Sequence, residues 1–355
     1  MFGRRLLGFA AAAVFMISAI SLGATYGGGS GTAEDPYQIW TPEQMNTIGA
    51  NSADWDKHFK LMDNIDMSAY TGTQYNIIGN ETIKFTGTFD GQNHVIHNLT
   101  YNTTEKKEYV GLFGYTSGAV IQNLGVENVN FSSNHGYYIG GLVGKTSSSD
   151  LIKSCYATGS IKGFYSNVGG LVGLNSGTII SCYATSSIAC VSIAGGLTGA
   201  NYGIIKSCYA TGTVTCSQSS TGGLVGFNYS RGAITFCYAT GDVSGNTKVG
   251  GLVGWHESGT ITSCYASGSV SGSVLQAGGL VGLHGSGGTI TSCYASGLVW
   301  GDLYVGGLVG QNSGTIRSCY STASVFSSSE NYYAVYTGGL VGYHDDGIIT
   351  NMTAL

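Results

Sequence analysis

The chain has 355 residues, with 14 Lys or Arg, 19 Asp or Glu and a formal net charge of −5. So modest a charge points to no nucleic-acid or anionic-membrane partner. Its 59 glycines come with only 2 prolines, which excludes a collagen-like or typically disordered composition, and 43% hydrophobic residues can supply a core.

In chain order, Arg4 and Arg5 precede an apolar run from Leu6 to Leu22, followed by the small residues Gly23 and Ala24. Residues 1–24 therefore read as a secretory signal peptide, too short and wrongly flanked for a membrane anchor. The mature chain is expected to be secreted or held at the cell surface, with no membrane span after cleavage, where cysteines can oxidise. Residues 25–58 are expected to form an N-terminal cap. Within it Thr41-Pro42-Glu43-Gln44 fits a capping box, so a short helix through about Ala50 should cover the first open edge. Residues 59–355 are expected to form a parallel β-helix. It begins with coil-like segments from Phe59 to Met67 and from Phe85 to Tyr101, with Phe89, Val95, Ile96 and Leu99 as core.

From Val110 the chain repeats. GGLVG begins at Gly140, Gly169, Gly195 (as GGLTG), Gly222, Gly250, Gly278, Gly306 and Gly338, and Val110 opens the divergent VGLFG. The spacings run from 26 to 32 residues, and most copies are followed by SCYATG or a close variant. Such units are too short to hold a core alone and too rich in glycine and β-branched residues for helices. Stacked as coils about 4.8 Å apart, they give an all-β, right-handed parallel β-helix of about ten coils with a short N-terminal helix. A β-propeller blade would need four antiparallel strands and about 40 residues.

Strand alternation then sorts the columns. Cys155, Cys182, Cys208, Cys237, Cys264, Cys293 and Cys319 point inward, with Ile161 and its equivalents, as a buried thiol stack. Lys153, Lys206 and Arg317 lie two residues before a cysteine and belong outside, so the chain must bend at Ser154 and its equivalents. Two residues after GGLVG stand Thr146, Asn175, Asn201, Asn228, His256, His284, Asn312 and His344. This column shares parity with the buried leucines and reads as an inward hydrogen-bonded ladder in which histidine replaces asparagine. Cys190 and Cys216 occupy equivalent positions in neighbouring coils, within reach of a disulfide.

No catalytic set, metal site or cofactor emerges. His256-Glu257 lacks the second histidine of HExxH, because position 260 is Thr. A transition-metal site on the histidine column is weighed against the ladder, and the ladder is preferred. Asp63, Asp66 and Asp90 are candidates for a calcium or acid–base site, with turn capping as the plainer role. Asp345-Asp346 reads as a solvated pair. The outward column Tyr156, Tyr183, Tyr209, Tyr238, Tyr265, Tyr294 and Tyr320 carries the one binding hypothesis. Tyrosine rings stack on one another or on the apolar faces of sugars, and their hydroxyls form hydrogen bonds. The plainer role is a surface ladder that stabilises coil stacking. Tyr137-Tyr138 and the insertion from Glu330 to Tyr336 add aromatic residues that interrupt the repeat. At the end of the chain Met352 falls in the cysteine column and no polar cap follows Leu355. A longer natural chain, or a partner for the last coil, is expected.

The combination GGLVG-x-[Asn/His]-x-G-x-I-x-x-C-Y-A-x-G-x-V, from about Val110 to Leu355, resembles the GLUG repeats of bacterial exported proteins. The segment from Gly29 to Met67 is similar to the lead-in that precedes such repeats. The resemblance implies an extracellular or cell-surface β-rich array, as in adhesin-like chains and the non-catalytic parts of immunoglobulin A metallopeptidases. It transfers no catalytic residues. The expected function is non-catalytic adhesion, structure or ligand binding, with an extracellular glycan or surface protein as partner. The alternative is a polysaccharide-active β-helix lyase or hydrolase.

Overall fold

A computed structural model describes residues 25–164, 167–327 and 335–354. The signal-peptide segment and most of the insertion at 330–336 lie outside the described residues. Strands pair in parallel from one coil to the next, in the register of the repeat: Tyr183 with Tyr209, Ile188 with Val214, Ile205 with Ile234. Parallel pairing throughout is incompatible with propeller blades and defines a β-solenoid.

Each coil has three faces. The first is a nine-stranded stack of short strands, such as Tyr138–Gly140 and Asn167–Gly169, that end on the first glycine of GGLVG. The second holds two strands per coil, exemplified by Val172–Asn175 and Thr178–Ile180. The third runs from the tyrosine column through the Ile/Val column, as in Tyr183–Ala184 and Ser187–Cys190. Between the second and third faces, Ser154, Ser181, Ser207, Phe236, Ser263, Ser292 and Ser318 adopt φ between +50° and +55°. This left-handed residue is the bend that strand parity demanded. It leaves Lys153 exposed and Cys155 buried only two positions apart.

The interior is filled by columns of Leu, Ile, Val, Cys and Ala, closed at the N-terminal end by Phe59, Phe85, Phe89 and Phe113. Phe89, Ile96 and Leu99 are buried as expected, but Val95 is not. It shares parity with His97 on the outer side of the strand Val95–His97. Helix α1 spans Pro42–Ala50, and Thr41 Oγ1 accepts from the Gln44 amide at 3.3 Å. The return bond of the box falls one residue earlier than expected: Gln44 Oε1 accepts from the Trp40 amide at 2.7 Å. Met45 and Ile48 dock α1 into the core. The stack also reaches further toward the N-terminus, because Tyr37–Ile39 pairs in parallel with Phe59–Leu61.

Candidate functional site: axial side-chain ladders and a charged cleft

The seven tyrosines from Tyr156 to Tyr320 stand outward on the third face and stack face to face. Successive ring centroids are 4.7 to 5.0 Å apart and the planes lie within 7° of parallel. Each interior ring therefore has both faces covered by its neighbours, and what reaches solvent is the ring edge and the hydroxyl. Tyr320, at the end of the stack, is the only exposed member. Tyr156, at the other end, donates its hydroxyl to Glu127 Oε1 at 2.6 Å. Burial raises the phenols of Tyr183, Tyr209 and Tyr265, so their hydroxyls remain donors. Two residues on, a parallel row of hydroxyls (Thr185, Thr211, Thr240, Ser267) is exposed, unlike the half-buried interior tyrosines.

The inward polar ladder is real but discontinuous. Thr146 Oγ1 donates to Asn175 Oδ1 at 3.0 Å; Asn175 to Asn201 and Asn201 to Asn228 follow at 2.8 Å each. Asn175 and Asn201 also accept from and donate to the backbone of their own turns, as Asn201 does with Gly203, whereas Asn228 only donates, to the Gly232 and Ser258 carbonyls. Asn228 Nδ2 meets His256 Nδ1 at 3.0 Å, and there the chain of bonds stops. His256 and His284 stack at 5.0 Å instead, and His284 Nε2 turns to the Thr315 carbonyl at 3.3 Å. Asn312 resumes contact with His344, at 3.1 Å. An amide carries donor and acceptor on one end and can chain across rungs, whereas a stacked imidazole aims both nitrogens sideways. His256 Nε2 and His284 Nδ1 are left buried without a partner. The expected continuous substitution of histidine for asparagine thus fails at these two rungs.

Burial holds both imidazoles neutral: His256 lies well below the usual histidine range and His284 is pushed down to about 4. A depressed folded-state value means that the unfolded chain binds the extra proton first. Stability should therefore be complete above about pH 6.5 and fall as the pH drops toward 4. For His284 the loss is on the order of 3 kcal/mol at pH 4. Melting curves from pH 7 to 4 check this, and His284→Asn should flatten them.

The seven buried cysteines are more than small hydrophobes. The backbone N–H of Cys155 donates to Cys182 Sγ at 3.3 Å, and the contact repeats at every rung to Cys319. Each thiol in turn donates to the carbonyl two residues before it, as Cys155 does to Lys153 at 3.2 Å. The thiols satisfy amides that the left-handed bend swings out of the ordinary ladder. Burial pushes the Cys182 thiol well up, so that thiol stays protonated. Cys190 and Cys216, directly paired on adjacent strands with Cα atoms 4.6 Å apart, are joined in a disulfide.

The acidic candidates do not converge. Asp63 caps the Asn64 amide, Asp66 accepts from Ser68 and Asn98, and Asp90 accepts from Gln92, Gln122 and Asn123. No group of three or more metal-ligating side chains occurs among the described residues.

Sequence reading missed two features. At the bend around GGLVG, outward side chains before and after the motif meet. Lys248 Nζ lies 3.6 Å from the Trp255 ring centroid, Gln276 Nε2 donates to Gln311 Oε1 at 2.8 Å, and Tyr304 stacks on Tyr343 at 4.9 Å. Residue type changes from coil to coil here, so no column was visible. The second feature is a cleft between residues 79–83 and 106–109, with a volume of about 360 Å³.

Fold and ladders together define a repeat β-solenoid protein whose side-chain columns run along one axis. Residues 135–162, 164–189, 192–215, 217–244, 245–271 and 301–325 match the family described as the GLUG motif, so the chain carries six GLUG repeats. Halomucin of Haloquadratum walsbyi is 34% identical over 167 residues, which are 44% of this chain and 2% of that protein. A protein of Evansella cellulosilytica named "Putative Gly-rich membrane protein" is 32% identical over 121 residues, 31% of this chain and 14% of its own length. The chain thus spans only a small part of either relative. A solved structure named IgA1 Protease superposes with a TM-score of 0.50 at 21% identity, over 82% of this chain and 21% of the other, a likeness of fold. Among the described residues no helix is long and apolar enough to cross a membrane.

Proposed function

We propose that this chain is a non-catalytic extracellular array that binds an extended ligand, a glycan chain or a surface protein, along its third face. The observation that carries the reading is the pair of parallel hydroxyl rows, one phenolic and one from Thr and Ser, repeating once per coil. Because the rings cover one another, a sugar cannot slide between them. It lies across the row and exchanges hydrogen bonds with successive hydroxyls. Each bond is weak, and the repetition along the axis supplies avidity. The scattered, turn-capping roles of Asp63, Asp66 and Asp90 support the non-catalytic part.

A glycan array locates the ligand class. The double variant Tyr238→Phe, Tyr265→Phe keeps the stack and removes two hydroxyls. It should weaken binding by about tenfold with an unchanged melting temperature. Undiminished binding would assign the ladder to coil stacking alone. Depolymerisation of a polysaccharide that is lost on changing Asp63, Asp66 or Asp90 would overturn the non-catalytic reading.

A further inference from the structure

The cleft between residues 79–83 and 106–109 is separate from the tyrosine ladder and stands on its own observations. Charged residues are only 9% of the chain, yet they gather here. Glu81, Lys106, Lys107 and Glu108 line the cleft together with Tyr109. Tyr109 is 8% exposed and stacks on Tyr115 at 5.1 Å and on Tyr138 at 5.6 Å. Two more lysines reach this aromatic wall: Lys84 lies 5.2 Å from the Tyr115 centroid and Lys145 lies 4.7 Å from it. Lys106 and Lys107 line the cleft with Glu81 and Glu108, and Lys84 and Lys145 reach the rings next to Tyr109 from outside that lining, so four lysines stand in or around the cleft against its two glutamates.

The pairing of these charges is incomplete. Lys106 bridges to Glu108 at 2.8 Å, and Lys84 donates to the Glu81 carbonyl at 2.8 Å. Lys145 faces the rings of Tyr115, Tyr138 and Tyr109, at 4.7, 5.3 and 5.9 Å, and forms no salt bridge among the described residues. An ammonium held over aromatic faces keeps donors in hand for an anion. Burial and then Glu81 and Glu108 push the Tyr109 phenol up to about 12, so it too is a donor.

We propose that this cleft binds an anionic pyranose of an acidic polysaccharide. Lys107 and the lysines around it pair with its carboxylate or sulfate, and the Tyr109 hydroxyl donates to it. A neutral sugar would leave the positive excess unanswered, and a cationic one would be repelled by it.

Titration calorimetry with oligogalacturonate, a sulfated galactan oligosaccharide and a neutral galactan oligosaccharide tests the assignment. Either acidic probe should bind at least about tenfold tighter than the neutral one and weaken as salt is raised. Lys107→Gln combined with Lys145→Gln should abolish that advantage at an unchanged melting temperature, and Lys145→Arg should retain it. Tyr238→Phe, Tyr265→Phe should leave it untouched, which separates this site from the ladder. Equal affinity for acidic and neutral probes, salt-insensitive binding, or equally tight binding of short duplex DNA would each overturn the proposal. The salt and probe comparisons need only the unaltered chain, so a misfolded variant would not shield it.

Discussion

Gly223→Ala is expected to cost on the order of 4 kcal/mol and to break the solenoid locally. A Cβ at Gly223 would overlap the carbonyl oxygen of Gly251 in the next coil and press on the Ala239 methyl at 2.9 Å. The same overlap recurs at Gly196, Gly251 and Gly279, each against the carbonyl of the coil that follows. Neither side can yield, because the adjoining Gly250 carbonyl accepts from the Gly223 amide at 3.2 Å and so fixes the spacing of the coils. Stability in a stacked array is a sum of coil and interface contributions, so one lost interface should separate two blocks. Urea unfolding of Gly223→Ala should therefore lose cooperativity as well as midpoint. The control is Gly72→Ala, where φ is +61° and no atom lies within 4 Å of the added Cβ. Only the backbone preference is lost there, about 1 kcal/mol. If the two variants melted alike, close approach of the coils would not be what fixes glycine at this bend.

Asn201→Ala should cost about 3 kcal/mol. Its amide accepts from Asn175 at 2.8 Å and from the Gly203 amide at 3.3 Å, and donates to Asn228 at 2.8 Å and to the Gly203 carbonyl at 3.2 Å. Alanine would leave those groups buried, dry and short of partners. Asn228 Oδ1 would lose the donor on which it depends. Thermal unfolding checks the magnitude. A loss below about 1 kcal/mol would mean that water enters the gap and replaces the amide. Asn312→Ala provides an internal comparison. Asn312 donates to His344 in an exposed last rung, so it should cost visibly less than Asn201.

Much of this was legible before any coordinates. Period, column composition and strand parity placed Leu142, Ala157, Ile161 and Cys155 inside and Tyr156 outside, because a stacked coil repeats its burial pattern exactly as often as its sequence. Even the bend at Ser154 followed, since Lys153 and Cys155 cannot otherwise lie on opposite sides. Val95 was misplaced because no repeated column existed there to set its parity. The cysteine ladder was located correctly and its hydrogen bonds were not, because they answer to amides freed by the left-handed residue.

By itself, then, the sequence determined the parallel solenoid, its inward and outward columns and which residues stand next to each other along each column. Those are properties of translation by one coil, and identical neighbours carry them. Tertiary structure alone decided where the ladder breaks, at His256 and His284, and which unlike side chains meet across the GGLVG bend. It also decided that residues 79–83 and 106–109 enclose a charged cleft. These depend on ring orientation and on the path of non-repeating segments between coils, which no period records.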